Sequence, residues 1–350
     1  MKLLLLGIVS SLFLISCTHD NKVKNVDRAF YYWSSNNDYS DNVKSNLKKV
    51  KARKLYVKYF EVDYSESMGN FPYDKTDFYS YDIHIEDSIS IIPTIFIKNE
   101  IFKHNTNISL NKLADNIVFL IDKYNKEKFQ NAYNSNFNEI QIDCDWTKST
   151  KEKYFYLLKK IKQLSKKEIS CTLRLYPYKY SNDMGIPPVD KVTLMCYNII
   201  KPLSEKDKNS ILDVAELKKY LNTFREYPLH VDIALPIFSW SHIYQNNQFS
   251  GLINLNSKEV LGFAKQTKPL WYEVTKDTTI YSNNRFYFRE GDQIKSEEVT
   301  SKVLEETIAV IKQNVALDET TTIIFFNLDD KTFNRYNHAE ISNFYDSFTK

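Results

Sequence analysis

Asp143 and Asp145 stand one residue apart in the run EIQIDCDW (139–146). In an extended strand, residues two apart share a face, so Gln141, Asp143 and Asp145 point one way while Ile140, Ile142 and Cys144 point the other. The apolar set is expected to meet a layer of helices, which leaves an amide and two carboxylates on the opposite side. Neighbouring carboxyls in different surroundings can be driven apart in pKa, and such a pair can divide the acid and base roles of proton-transfer chemistry. Quieter readings stay open. Either aspartate could cap the helix expected to start near Thr150, or neutralise Arg174, which parity also turns inward. Lys58 is expected to point inward too, and a carboxylate paired with it would be structural.

The elements that must position these groups are legible as alternating runs. Eight stretches rich in β-branched and aromatic residues read as strands: 29–35, 54–63, 89–97, 139–146, 169–177, 191–199, 230–238 and 321–329. Apolar residues at three- and four-residue intervals predict helices over 41–50, 110–124, 150–164, 211–224, 299–314 and 339–348. Strands alternating with helices are the pattern of an α/β protein with a parallel sheet, and eight such units predict a closed (β/α)8 TIM barrel. Active sites of such barrels lie at the C-terminal ends of the strands, where 143 and 145 fall. Two connections are irregular. The link 179–190 is too short and too rich in Gly and Pro for a helix, and the acidic, aromatic stretch 64–87 is ambiguous. A longer excursion after the seventh strand, 239–298, reads as a β-hairpin. The expected organisation is a signal segment over 1–16, a tether over 17–28 and one barrel domain over 29–350.

Composition narrows the chemistry. Six glycines in 350 residues, none at the spacing of a dinucleotide or phosphate-cradling loop, argue against nucleotide chemistry. Forty-seven basic and 44 acidic side chains, interspersed, give a formal charge of +3 and imply no basic face for nucleic acid. The six histidines make no zinc pattern, and no Gly-x-Ser-x-Gly elbow occurs. No metal and no cofactor is expected. Lys2, the apolar run Leu3–Ile15 and then Ser16-Cys17 have the layout of a secretory signal, too short for a mature membrane span. Leu14-Ile15-Ser16-Cys17 resembles a lipobox, which implies acylation of Cys17 and a lipid anchor in a bacterial cell envelope, on the periplasmic or surface face of the outer membrane. Cys144, Cys171 and Cys196 would remain, an odd number that excludes a full disulfide framework.

Three motifs carry a resemblance. FNEIQIDCDW resembles the strand-four signature Asp-x-x-Asp-x-Asp-x-Glu of glycoside hydrolase family 18, the chitinase-like barrels, with Asn138, Gln141, Asp143 and Asp145 at its four defined positions. LMCYN resembles the family's Met-x-Tyr-Asp element, with Met195 and Tyr197 matching and Asn198 at the aspartate. VDIALPIFSW resembles the Gly-Leu-Pro-Tyr-type run of the next strand, with Ala234 at the glycine.

The resemblance implies substrate-assisted cleavage of an N-acetylated glycan. Asp145 would be the acid, Asp143 the group that orients the acetamido nucleophile, and Tyr197 a donor to its carbonyl. Asp is one methylene shorter than Glu, which draws the acid back by roughly 1.5 Å. Gln141 cannot share a proton with Asp143, and Asn327 stands near the family's tryptophan floor. Gln141, Arg174, Asn198, Asn327, Trp33 and Trp240 are the expected substrate contacts, with Trp240 carried to the inner rim by alternation from Ala234. Two alternatives stay open: a different glycosidase arrangement pairing Asp143 or Asp145 with Glu61, Asp63 or Asp329, or a cleft that only binds glycan, with Trp33, Trp146, Trp240 and Tyr197 as platforms or donors. The expected partners are a carbohydrate and, through Cys17, a membrane, and the chain is expected to be monomeric.

Overall fold

Alternation along eight extended runs divides their side chains between two cores. The computed structural model describes residues 23–33, 39–76, 89–129, 137–281, 285–329 and 331–350. Within them run β1 (Asn25–Tyr32), β2 (Lys54–Ser65), β3 (Ser90–Ile97), β4 (Glu139–Asp143), β5 (Glu168–Arg174), β6 (Lys191–Met195), β7 (His230–Pro236) and β8 (Thr320–Phe326). Each pairs in parallel with the next, and β1 pairs with both β2 and β8, so the sheet closes into a barrel. Phe30, Leu55, Ile140, Ile142, Ile169 and Leu173 face the helix layer, whereas Ala29, Tyr31, Tyr56, Ala234 and Ile324 cluster inside the barrel.

The helices form where the sequence gives them one apolar stripe and a defined start. Lys151–Ser165 buries Tyr154, Leu157, Leu158 and Ile161, each aliphatic side chain contributing about 1.5–3 kcal/mol, and stops at Lys166 in the left-handed region. Ser301–Asn314 starts at Thr300, whose side chain accepts from the Val303 amide. His338–Asp346 opens with a capping box between Asn337 and Glu340. The pattern over 211–224 forms a helix only at Val214–Tyr220, because the Asp213 side chain caps it by accepting from the Glu216 amide. The link 179–190, expected without helix, holds one helical turn, Ser181–Met184, ended by Gly185 at φ +81°.

Several boundaries differ from the expectation. β1 starts at Asn25, inside the stretch read as a tether, because residues 25–27 pair with Thr320–Thr322 and Val23 is buried. Residues 1–16 and Cys17 lie outside the described residues. β2 runs to Ser65 and turns back into an antiparallel strand, Gly69–Tyr73, while residues 77–88 of the ambiguous connection lie outside the described residues. The excursion after β7 is larger than one hairpin. It contains a five-stranded antiparallel sheet built from 248–253, 239–245, 293–298, 271–274 and 264–268, and a separate pair, 278–281 with 285–288.

Polar residues tie the barrel interior together below the strand ends. Gln141 Oε1 accepts from the Tyr31 hydroxyl at 2.7 Å, and Gln141 Nε2 donates to Thr193 Oγ1 at 3.0 Å. Nearer the base, the Lys191 ammonium lies 2.7 Å from Glu139 and 3.5 Å from Asp232, and Asp232 also accepts from the Thr322 amide at 2.7 Å.

Candidate functional site

The upper ends of seven strands, and the loops just beyond them, converge on one cavity of about 190 Å³. β1 and the residue after it supply Tyr31 and Trp33, β2 supplies Glu61, and β3 supplies Phe96. β4 and its extension bring Asp143 and Asp145, β5 brings Thr172 and Arg174, and β6 with its extension brings Met195, Tyr197 and Asn198; Phe326 comes from β8. Strand parity delivers these groups, since Thr172 and Arg174 alternate with outward Cys171 and Leu173, and Phe326 follows inward Ile324.

The two aspartates occupy different surroundings. Asp143 is half-buried, and its Oδ1 accepts from the Thr172 hydroxyl at 2.6 Å. Burial pushes its carboxyl up to about 7; the Thr172 hydrogen bond and Arg174 oppose the shift, while Asp145 and Glu61 add to it. Asp145 has 60% of its side chain exposed and sits 3.6 Å from the Arg174 guanidinium. That guanidinium also donates to the Asn198 carbonyl at 2.8 Å. The contact with Arg174 matches one of the quieter readings of Asp145. The helix Lys151–Ser165 carries no side-chain cap from Thr150, whose hydroxyl donates instead to Asn99.

Tyr197 is buried with a strongly raised pKa, from desolvation first and from the nearby charge of Asp143, so it remains a phenol able to donate. Among the described residues Asn198 Oδ1, buried in the same wall, has no hydrogen-bond partner. Asn198 holds φ +50°, fixed by its amide donating to the Ile211 carbonyl at 2.7 Å. Aromatic rings close the remaining wall: Tyr197 stacks on Phe326 at 5.4 Å, and Trp33 lies 6.0 Å from the same ring. A wider depression of about 440 Å³ shares Asp145 and Arg174 and is lined further by Trp146, Tyr176, Pro177 and Met184.

Of the residues singled out in the sequence, Asp143, Asp145, Glu61, Tyr197, Arg174, Asn198 and Trp33 meet in the cavity. Gln141 does not: it is fully buried beneath, with its amide spent on Tyr31 and Thr193. Asn327 is turned away, its Oδ1 accepting from the Trp33 amide at 3.0 Å, and Phe326 lines the cavity in its place. Trp240 lies in the accessory sheet, where its indole N–H donates to Glu297 at 2.7 Å, and Phe238 takes the inner position. Alternation carried through Pro236 fails at Ser239, where the chain enters that sheet. Asp63 is tied to Lys98 at 2.6 Å, and Asp329 to Thr332 at 2.8 Å. Tyr31, Thr172, Phe96 and Phe326 were not anticipated, although inward parity on their strands was sufficient to find Thr172 and Phe326.

No protein-family model and no curated protein sequence matches the chain. Solved structures do. A chitinase from Bacteroides thetaiotaomicron superposes with a TM-score of 0.56 at 9% identity, over 92% of this chain and 96% of that one. The family 18 chitinase ChiB from the chitin utilization locus of Flavobacterium johnsoniae gives 0.52 at 13% identity, over 93% and 94%. The barrel has the family 18 glycoside hydrolase fold. The spore cortex-lytic enzyme SleL of Bacillus cereus shares it, with a TM-score of 0.52 at 13% identity over 94% of this chain and 75% of that one. On this glycosidase-like barrel, Asp143 and Asp145 occupy the strand end where the sequence resemblance put them, with Arg174 beside the outer one.

Proposed function

We propose that this family 18-like barrel recognises a glycan bearing N-acetyl groups, as a lipid-anchored protein of the bacterial cell envelope. One observation carries the reading: Tyr197, held as a phenol able to donate, lines the same cavity wall as the Asp143 carboxyl. An acetamido group has a carbonyl that accepts and an N–H that donates, so it can satisfy both. Trp33 and Phe326 give a sugar ring apolar surface, and the orphaned Asn198 Oδ1 is a further acceptor. The names of the similar structures, two chitinases and a cortex-lytic enzyme, point to the same ligand class. Calorimetry of the purified protein with N-acetylated and N-deacetylated amino-sugar oligosaccharides tests the reading. The acetylated form is expected to bind at least tenfold more tightly, the preference falling in Tyr197→Phe by the worth of one hydrogen bond. Equal or absent binding of the two forms rejects it.

Hydrolysis at the same cavity is the second reading, favoured by the Asp143 carboxyl, which is pushed up to about 7. Such a group is partly protonated near neutrality and can deliver a proton to a glycosidic oxygen. Asp145, exposed and beside Arg174, suits a stabilising anion better than a proton donor, which reverses the roles implied by the resemblance. Product release is then expected to fall as the pH rises through about 7 and to drop at least a hundredfold in Asp143→Asn. If wild type, Asp143→Asn and Asp145→Asn release equal product, the cavity binds without cleaving. The envelope anchor rests on Lys2, the apolar run and Cys17. Metabolic palmitate labelling that persists in Cys17→Ala would remove it.

A further inference from the structure

Glu61 is a third carboxylate in the cavity wall, and the reading above gives it no task. Its position depends on a local break in β2. Tyr56 belongs to the barrel interior, and strict alternation from it would send residues 58 and 60 inward and turn residue 61 toward the helices. Instead the pairing of β2 with β3 slips between Lys58 and Phe60, so Tyr59 and Phe60 both enter the helix-facing core and Glu61 lines the cavity. A bulge of this kind costs ladder pairing and re-aims a side chain. Beyond it, Glu61, Phe96 and Asp143 share one rung across three adjacent strands, which sets the two acidic residues' backbones about 10 Å apart.

The bland account is that Glu61 neutralises Lys58, whose side chain is only 2% exposed. Among the described residues, however, the Lys58 ammonium meets both Glu61 at 3.0 Å and Asp74 at 2.5 Å. Asp74 alone would balance it, so Glu61 adds negative charge at the cavity wall. The same ammonium lies 5.8 Å from the centre of the Trp33 ring, and Trp33 and Glu61 both line the cavity. A sugar ring lying on Trp33 would turn its hydroxyl edge toward Glu61, whose oxygens only accept.

We propose that Glu61 selects the sugar: its carboxylate accepts hydrogen bonds from free hydroxyls of a neutral ring held on Trp33, and it turns away rings that carry a carboxylate. The proposal rests on the carbohydrate reading and narrows it to neutral sugars at that end of the cavity. The test is calorimetry of the full chain, as wild type, Glu61→Gln, Glu61→Asp and Tyr197→Phe, with a neutral N-acetylated trisaccharide and its uronic-acid counterpart. Wild type is expected to bind the neutral sugar at least tenfold more tightly. Glu61→Gln is expected to weaken the neutral sugar by about tenfold to a hundredfold, the range for a hydrogen bond to a charged group, and to close the gap to the uronate. The fold should survive, because Lys58 keeps Asp74. Glu61→Asp keeps the charge but retracts it, so it should weaken the neutral sugar and still exclude the uronate. Equal binding of both sugars by wild type, or an unchanged neutral affinity in Glu61→Gln, overturns the proposal. If Tyr197→Phe weakens binding while Glu61→Gln does not, only the role of Glu61 falls; if wild type binds neither sugar, the carbohydrate reading falls with it.

Discussion

Asp143 and Asp145 are identical in type and two positions apart, yet their surroundings give them opposite tendencies. Asp143 is drawn under the rim by Thr172 and loses water, whereas Asp145 extends into solvent beside Arg174. The first is a consequence for stability as well as for chemistry. A carboxyl whose pKa is about 7 folded and 3.8 unfolded binds its proton more tightly in the folded state. Its stabilising contribution is therefore complete below about pH 4 and is lost as the pH rises through 7. Asp143→Asn keeps the Thr172 contact and removes the titration. The stability of the variant minus that of wild type should climb from pH 4 to pH 7 and then level off, measured by denaturant unfolding across that range. A flat difference would show that Asp143 is better solvated than its position implies.

The strands themselves are held by what lies at their lower ends. Asp232 on β7 is fully buried, accepts from the Thr322 amide of β8 and from His230 at 3.0 Å, and faces Lys191 of β6. It thus joins three neighbouring strands at the end of the barrel away from the cavity. Removing one partner of a buried charge pair typically costs about 3–5 kcal/mol. Lys191 keeps Glu139 at 2.7 Å, which places Asp232→Ala near the lower end, a loss of about 3 kcal/mol. Thermal unfolding reads this directly, and a loss under about 1 kcal/mol would mean that water replaces the carboxylate. The proposed sugar binding, at the opposite end, should be unchanged while the variant remains folded. Sequence periodicity found all eight of these strands, because each alternates apolar residues toward the helices. Their ends were less legible: β4 and β6 stop at Asp143 and Met195, short of where alternation alone would carry them.

The accessory sheet is fastened to the barrel by a buried polar knot. The Lys295 ammonium, 1% exposed, lies 2.6 Å from Glu297 and donates to the Glu205 and Lys208 carbonyls at 2.8 and 2.7 Å. Glu297 in turn accepts from Ser210 and Trp240, and Trp271 donates to the Lys206 carbonyl. One lysine thus links the sheet to the loop beyond β6, the strand that carries Tyr197 at its extension. Lys295→Met conserves much of the volume but leaves Glu297 without its counter-ion and two carbonyls without a donor. Hydrogen exchange in residues 201–210 and 239–245 should quicken, with the slow exchange of β4 to β6 retained. Unchanged protection in 201–210 would mean that the loop is held by its other contacts.

The residues alone were enough for the closed barrel, for the inward parity of Asp143 and Arg174, and for the resemblance to family 18 that implied a role for Tyr197. A two-residue period and a helical period are local properties, and each strand states its own. The wall around the aspartates is not local. Glu61 enters it through a slip in pairing between β2 and β3, Asn327 leaves it by turning to the Trp33 backbone, and Trp240 leaves it because the chain departs from the barrel after Pro236. Each of these depends on a partner far away in the chain, and so does the contrast between Asp143 and Asp145, since burial and the reach of Arg174 exist only once β4 and β5 lie side by side.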